Sequence, residues 1–163
     1  VVEGAGFLLN NEMDDFSVKT GVPNFFGAIG GVANEIQPFK RMLSSMTPTI
    51  VLKDGNIAMV TGSPGGTTIL SSVYLSILNA LEFKMPAQEV VDVPRFHHQL
   101  LPKDQIMHHK GMNAQTLQQL EEMGYSTLIS GFGDLHVIIN RGEGLEAASE
   151  TGGRGQAIVE DVK

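Results

Sequence analysis

The feature that most limits what this chain can become lies near its middle. There a β-rich run, Ile57 to Thr61, passes through Gly62-Ser63-Pro64-Gly65-Gly66 into Thr67 to Leu81. In that last segment Ile69, Val73, Ile77 and Leu81 recur every four residues, with Leu70, Tyr74 and Leu78 beside them. So wide an apolar stripe predicts a helix that is mostly buried. Glycines let a backbone approach a ligand closely, and a helix start presents free N–H groups at a positive dipole end. Such a loop can hold a phosphate, a carboxylate or an oxyanion. It has neither the lysine of a P-loop nor the spacing of a dinucleotide fingerprint. A tight strand-to-helix turn that needs glycine for positive φ is the plain alternative.

Other elements follow from local chemistry. Thr49 to Leu52 and Ile57 to Thr61 flank Lys53-Asp54-Gly55-Asn56, an Asp-Gly hairpin signal. Pro86 to Val91 predicts a short helix with proline in its first turn. Asn113 can cap a helix from Ala114 to Met123, with Gly124 at the position after its end. Thr127 to Ile129, Leu135 to Ile139 and Leu145 to Ala148 predict strands, the last two joined through Asn140 to Gly144. Gly6 to Leu9 is an apolar run too short to define a strand. Gly21 to Gly31 predicts an ordered loop, because Val22, Phe25, Phe26 and Ile29 give it something to bury; disorder is the rival reading. The Gly-rich tail after Thr151 is expected to fray. Strands and helices do not alternate regularly, which favours α+β. The 163 residues predict one domain, 1–163.

Composition removes several function classes. Hydrophobic residues make up 42% and charged residues only 18%, so the chain as a whole is not disordered. No apolar run reaches the roughly 18 residues that a membrane helix needs. Eleven basic against 18 acidic side chains leave no basic stripe for nucleic acid. The absence of cysteine excludes thiolate chemistry, disulfides and cysteine-based zinc sites. The chain opens Val1-Val2-Glu3 without an initiator Met, which reads as a piece of a longer polypeptide.

Three clusters could carry chemistry. Asn10-Asn11-Glu12-Met13-Asp14-Asp15 gathers carboxylates and amides able to hold an ammonium or a metal ion, or to form a solvated turn. On extended chain Asp14 and Asp15 face opposite sides, so one of them serves a given site. Ser44-Ser45 offers two hydroxyl donors for a carboxylate. His97-His98 and His108-His109 lack the i,i+4 spacing of a helical zinc site, and are read as structural or surface histidines.

Taken in order, Gly6 to Phe16, Lys40 to Thr49, Thr61 to Gly66 and Pro94 to Gln99 closely resemble the γ-glutamyltranspeptidases, also called glutathione hydrolases. The likeness runs to about Gly124. The Asp-Pro-Arg found near the family's C-terminus has no counterpart at Ala148-Ser149-Glu150-Thr151.

The resemblance implies the four-layer α/β/β/α sandwich of N-terminal-nucleophile hydrolases, incomplete in this chain. A precursor that cuts itself would supply the nucleophilic Thr upstream of Val1, so the chain alone is expected to be inactive. Glu12 and Asp15 would grip the substrate's α-ammonium. Ser44 and Ser45 would donate to its α-carboxylate, and the Gly65 and Gly66 N–H groups to the tetrahedral oxyanion. The implied partners are the large subunit of the same precursor, glutathione and other γ-glutamyl compounds, and an amino-acid or peptide acceptor. No metal or organic cofactor is implied, and the location is periplasmic, secreted or at the cell surface. A same-family acylase of β-lactam side chains, and a non-catalytic fragment that binds an anion or packs against a partner, are the alternatives.

Overall fold

A computed structural model describes residues 2–99 and 101–160. The chain divides into two compact units, Val1–Ser45 and Met46–Lys163.

The first unit holds little regular structure. Two 3-10 turns, Glu12–Asp15 and Val32–Asn34, are its only helical pieces among the described residues. Single bridges tie Ser17 to Glu35 and Pro23 to Ile29. In the loop from Gly21 to Gly31 the expected burial is met only in part: Phe26 is half-buried, but Phe25 is 80% exposed and Val22 and Ile29 are exposed too. Asn24 organises the loop. Its Oδ1 accepts from the N–H groups of Phe26 and Ala28, each at 3.0 Å, while its own N–H donates to Ala28 O at 2.8 Å. Gly6 to Leu9 forms no strand, and Leu8 and Leu9 are exposed.

The second unit is α+β, as expected. Strands β1 (Thr49–Lys53), β2 (Asn56–Gly62), β6 (His136–Asn140) and β7 (Leu145–Ser149) form an antiparallel sheet in the order β1-β2-β6-β7. The β1–β2 turn is tighter than the sequence suggested. Only Asp54 (φ 51°) and Gly55 (φ 79°) lie outside the ladder, and both have the positive φ of the hairpin turn that matches strand twist. A smaller sheet joins β3 (Phe96–His98), β4 (Gln105–His108) and β5 (Ser126–Ile129), with β4 and β5 parallel. β3 and β4 went unread in the sequence because their residues are mostly His, Gln and Met rather than β-branched.

Helix α1 (Thr68–Ile77) runs on through a π turn, Leu78–Glu82, so the predicted span holds while its last turn widens. Its buried face is narrower and more polar than the apolar stripe implied. Ile69 and Val73 are buried with Thr68, Ser72 and Ser76, but Leu70 and Tyr74 are exposed. Helix α2 (Ala87–Asp92) starts one residue late, with Pro86 at its cap rather than in its first turn. There Glu146 Oε2 accepts the Ala87 N–H at 2.8 Å. Helix α3 (Ala114–Glu122) matches expectation: Asn113 Oδ1 accepts the Thr116 N–H at 3.1 Å, and Gly124, at φ 96°, ends it.

Pleat alternation makes the core. Met59, Val137, Ile139 and Ala148 point to one face of the four-stranded sheet and pack with Leu135, Ala80 and the α2 residues Ala87, Val90 and Val91. Ile50 and Ile138, on the opposite pleat, stay exposed. At the start of the tail Arg154 reaches the buried Asp134 carboxylate, from Nε at 3.0 Å and from its N–H at 3.2 Å.

Candidate active site

In the first unit Glu12 and Asp15 occupy the two ends of one 3-10 turn. Three residues complete such a turn, so their side chains eclipse and share a face. Asp14 projects elsewhere and is exposed, whereas Asp15 is buried at 8%. The two aspartates are thus separated as expected, through a 3-10 turn instead of extended chain. The Asp15 backbone is fixed by amides: Asn34 Nδ2 donates to Asp15 O at 2.8 Å and Asn24 Nδ2 at 3.5 Å. Asn34 also accepts the Leu43 N–H at 2.9 Å, which brings the segment carrying Ser44 and Ser45 beside Asp15. Ser45 then donates twice to Asp15 Oδ2, from Oγ at 3.2 Å and from its N–H at 3.4 Å. Asp15 Oδ1 receives no protein donor among the described residues. The pairing of Asp15 with Ser45 and the bridging role of Asn34 were invisible in sequence, because 19 and 30 residues separate the partners.

In the second unit the Gly62 to Gly66 loop leads from β2 into α1. Gly65 (φ 139°) and Gly66 (φ 57°) both adopt conformations that side-chain-bearing residues rarely take. Their carbonyls are committed to the helix start, accepting from Thr68 N at 3.1 Å and Ile69 N at 3.2 Å, and Thr68 Oγ1 adds a 2.8 Å bond to Gly65 O. Their own N–H groups meet no protein acceptor among the described residues. Two adjacent open donors at the positive end of a helix can stabilise an oxyanion.

Behind this loop lies a buried cation. Arg95, 1% exposed, donates from one terminal nitrogen to Val91 O at 2.7 Å and from the other to Glu150 Oε2 at 2.6 Å. Glu150 is only half-buried, but losing it would leave the buried Arg95 as an uncompensated charge. Asp134 is held below the usual carboxylate range. Burial alone would raise it, but hydrogen bonds from Arg154 and the charges of His136 and Arg154 outweigh burial.

The histidines all have protein partners. His97 lies between Ser71 Oγ (2.7 Å from Nδ1) and Gln99 Oε1 (2.9 Å from Nε2). His108 Nδ1 is 2.9 Å from His109 O, and His109 Nε2 is 2.9 Å from Phe132 O. His98 meets the Tyr125 ring edge-on, with centroids 5.8 Å apart. Burial, and after it the charge of Arg95, push His109 below the usual imidazole value. Among the described residues no group of three or more His, Asp or Glu is gathered for a metal, and no helix is long and apolar enough to cross a membrane.

The family model described as gamma-glutamyltranspeptidase matches residues 1–160. A glutathione hydrolase proenzyme of Pseudomonas aeruginosa is 47% identical over 163 residues, which cover 98% of this chain and 29% of that protein. The chain therefore spans under a third of that relative's length. Among solved structures, gamma-glutamyltranspeptidase from Pseudomonas nitroreducens complexed with L-DON is 46% identical with a TM-score of 0.89, covering 99% of this chain and 86% of that one. The sandwich fold expected from sequence is thereby borne out, with this chain supplying part of it. A cephalosporin acylase from Bacillus halodurans aligns with a TM-score of 0.72 over 80% of this chain and 25% of that one, but at 19% identity it shares the fold alone.

Proposed function

The chain belongs to the γ-glutamyltranspeptidase family, and from that membership we propose that the complete protein cleaves the γ-glutamyl amide of glutathione and related compounds. The γ-glutamyl group forms an ester with a nucleophilic Thr of the same precursor, whose α-amine takes the hydroxyl proton. The departing amine receives a proton, and water or the amino group of an amino acid or peptide then takes the acyl group. The large subunit completes the enzyme, which works in the periplasm, at the cell surface or outside the cell.

The residue roles follow charge. Glu12 and Asp15 hold the α-ammonium, Ser44 and Ser45 the α-carboxylate, and the Gly65 and Gly66 N–H groups the oxyanion. The observation that carries this reading is the pair of glycines at positive φ whose N–H groups are open while their carbonyls are consumed by α1. The Ser45 contact adds a feature. Its hydroxyl donates to Asp15 Oδ2, so it must turn to reach a substrate carboxylate. An ammonium arriving at Asp15 satisfies that carboxylate and frees the hydroxyl to turn. An acylase of β-lactam side chains is the weaker reading, because its likeness stops at the fold.

The test is amine release from a γ-glutamyl anilide by the full-length, matured gene product, with and without an acceptor dipeptide. Turnover accelerated or redirected by the dipeptide is expected. A matured protein that turns over a glutaryl amide of a β-lactam nucleus but not the anilide would overturn the proposal.

A further inference from the structure

We propose that Ser63 is a positioning residue that sets which way the Pro64–Gly65 peptide points, and so aims the Gly65 N–H at the oxyanion; this rests on the role given to Gly65 above. The carbonyl of Pro64 and the N–H of Gly65 belong to one trans peptide unit, so they point in opposite directions. Whatever holds the carbonyl inward turns the N–H outward. Ser63 does so: its Oγ donates to Pro64 O at 2.9 Å, and the residue is buried at 8%. Without such a hold the unit can rotate, since a glycine carries no Cβ to resist a flip.

The serine hydroxyl is itself fixed. It has one proton, spent on Pro64 O, and its oxygen accepts the Asp134 N–H at 3.2 Å. That N–H can come so near because the preceding residue is glycine. A Cβ on Gly133, whose φ is 84°, would stand 3.1 Å from Ser63 Oγ and 3.1 Å from an Arg95 nitrogen. The segment is pinned from behind by the ion pair of buried Arg95 with half-buried Glu150. Arg95 donates to Phe132 O at 3.4 Å, and Glu150 Oε2 accepts both Arg95 and the Leu135 N–H, the latter at 2.8 Å. Arg95 and Glu150 thus act on the loop through Gly133, Asp134 and Ser63. None of these residues need touch substrate.

Ser63→Ala in the complete, matured two-subunit enzyme tests this. Losing one hydrogen bond that aims a donor should lower kcat on a γ-glutamyl anilide about tenfold. KM and glutamate binding should stay near wild type. Inhibition by a glutamate analogue with a boronic acid in place of the γ-carboxyl, which becomes tetrahedral on the nucleophile, should weaken in step with kcat. A merely structural serine would lower the melting temperature and leave kcat and boronate inhibition of the folded enzyme unchanged, which would overturn the proposal. Should Ser63→Ala fail to mature, Ser63→Cys replaces it, because a thiol is a weaker donor of nearly the same shape. A smaller loss confined to kcat and boronate inhibition is then expected, and wild-type values for both would overturn the proposal. The wild-type control separates the two claims: an inactive wild type refutes the transpeptidase reading, whereas an active wild type with unchanged Ser63 variants refutes only this one.

Discussion

Alanine at Gly65 perturbs the loop at the atom where its chemistry is proposed to lie. The new Cβ would stand 2.3 Å from Thr68 Oγ1, with Gly133 N at 3.6 Å and Ile69 N at 3.7 Å. The threonine hydroxyl is the part that can yield, and in rotating away it gives up its 2.8 Å bond to Gly65 O. That loss costs about 1 kcal/mol. Holding a residue with a side chain at φ 139° adds strain on the order of 1–3 kcal/mol. The folded state is thus raised by about 2–4 kcal/mol, and the cheapest escape is rotation of φ at residue 65. That rotation turns the N–H away from the oxyanion. Removing one preorganised donor costs roughly a hundred- to thousandfold in turnover. The assay pairs amine release from a γ-glutamyl anilide with glutamate binding and melting, all on the matured enzyme. Turnover should collapse while glutamate binding persists, since Asp15 and Ser45 are untouched. Turnover per folded molecule within about threefold of wild type, less than 1 kcal/mol of barrier, would refute the reasoning.

Asp15→Asn keeps the shape but loses the charge, so kcat/KM on a γ-glutamyl substrate should fall by the equivalent of about 1.5–3 kcal/mol; equal loss on a des-amino glutaryl analogue would remove Asp15 from the ammonium. Asn34→Ala breaks the bonds to Asp15 O and Leu43 N–H, and should raise KM more than it lowers kcat, measured by steady-state kinetics. Asp134 has its pKa lowered from the usual 3.8, so its stabilisation is complete above that value and is lost as pH falls through the lowered folded value. Acid melting curves should therefore flatten in Asp134→Asn. His109 lies below its ordinary 6.5, so the unfolded chain takes up a proton first, and the stability from neutral His109 declines as pH drops from 6.5 toward the folded value. His109→Gln should abolish that part of the slope, read as melting temperature against pH.

What could be read from the residues alone was what short-range chemistry dictates. Asp54-Gly55 has the φ preference of one hairpin turn, Asn113 and Gly124 bound α3 by hydrogen bonds three or four residues long, and the apolar spacing from Ile69 to Leu81 is a helix period. The glycine loop was legible for the same reason, since glycine takes positive φ values such as the 139° of Gly65 and the 57° of Gly66 at the least cost. Tertiary structure decided the rest. Leu70 and Tyr74 share the helix period yet face outward, because which stripe is buried depends on the sheet it meets. The His-rich strands form because each pairs with a neighbour across the ladder, a partner that no local pattern announces. The same holds for the groups that aim the loop: Ser63 meets Asp134 across 71 residues of chain and Arg95 meets Glu150 across 55. Contacts of that length are selected by the closing of the fold, where a buried charge or hydroxyl must find a partner or cost several times what an exposed one would.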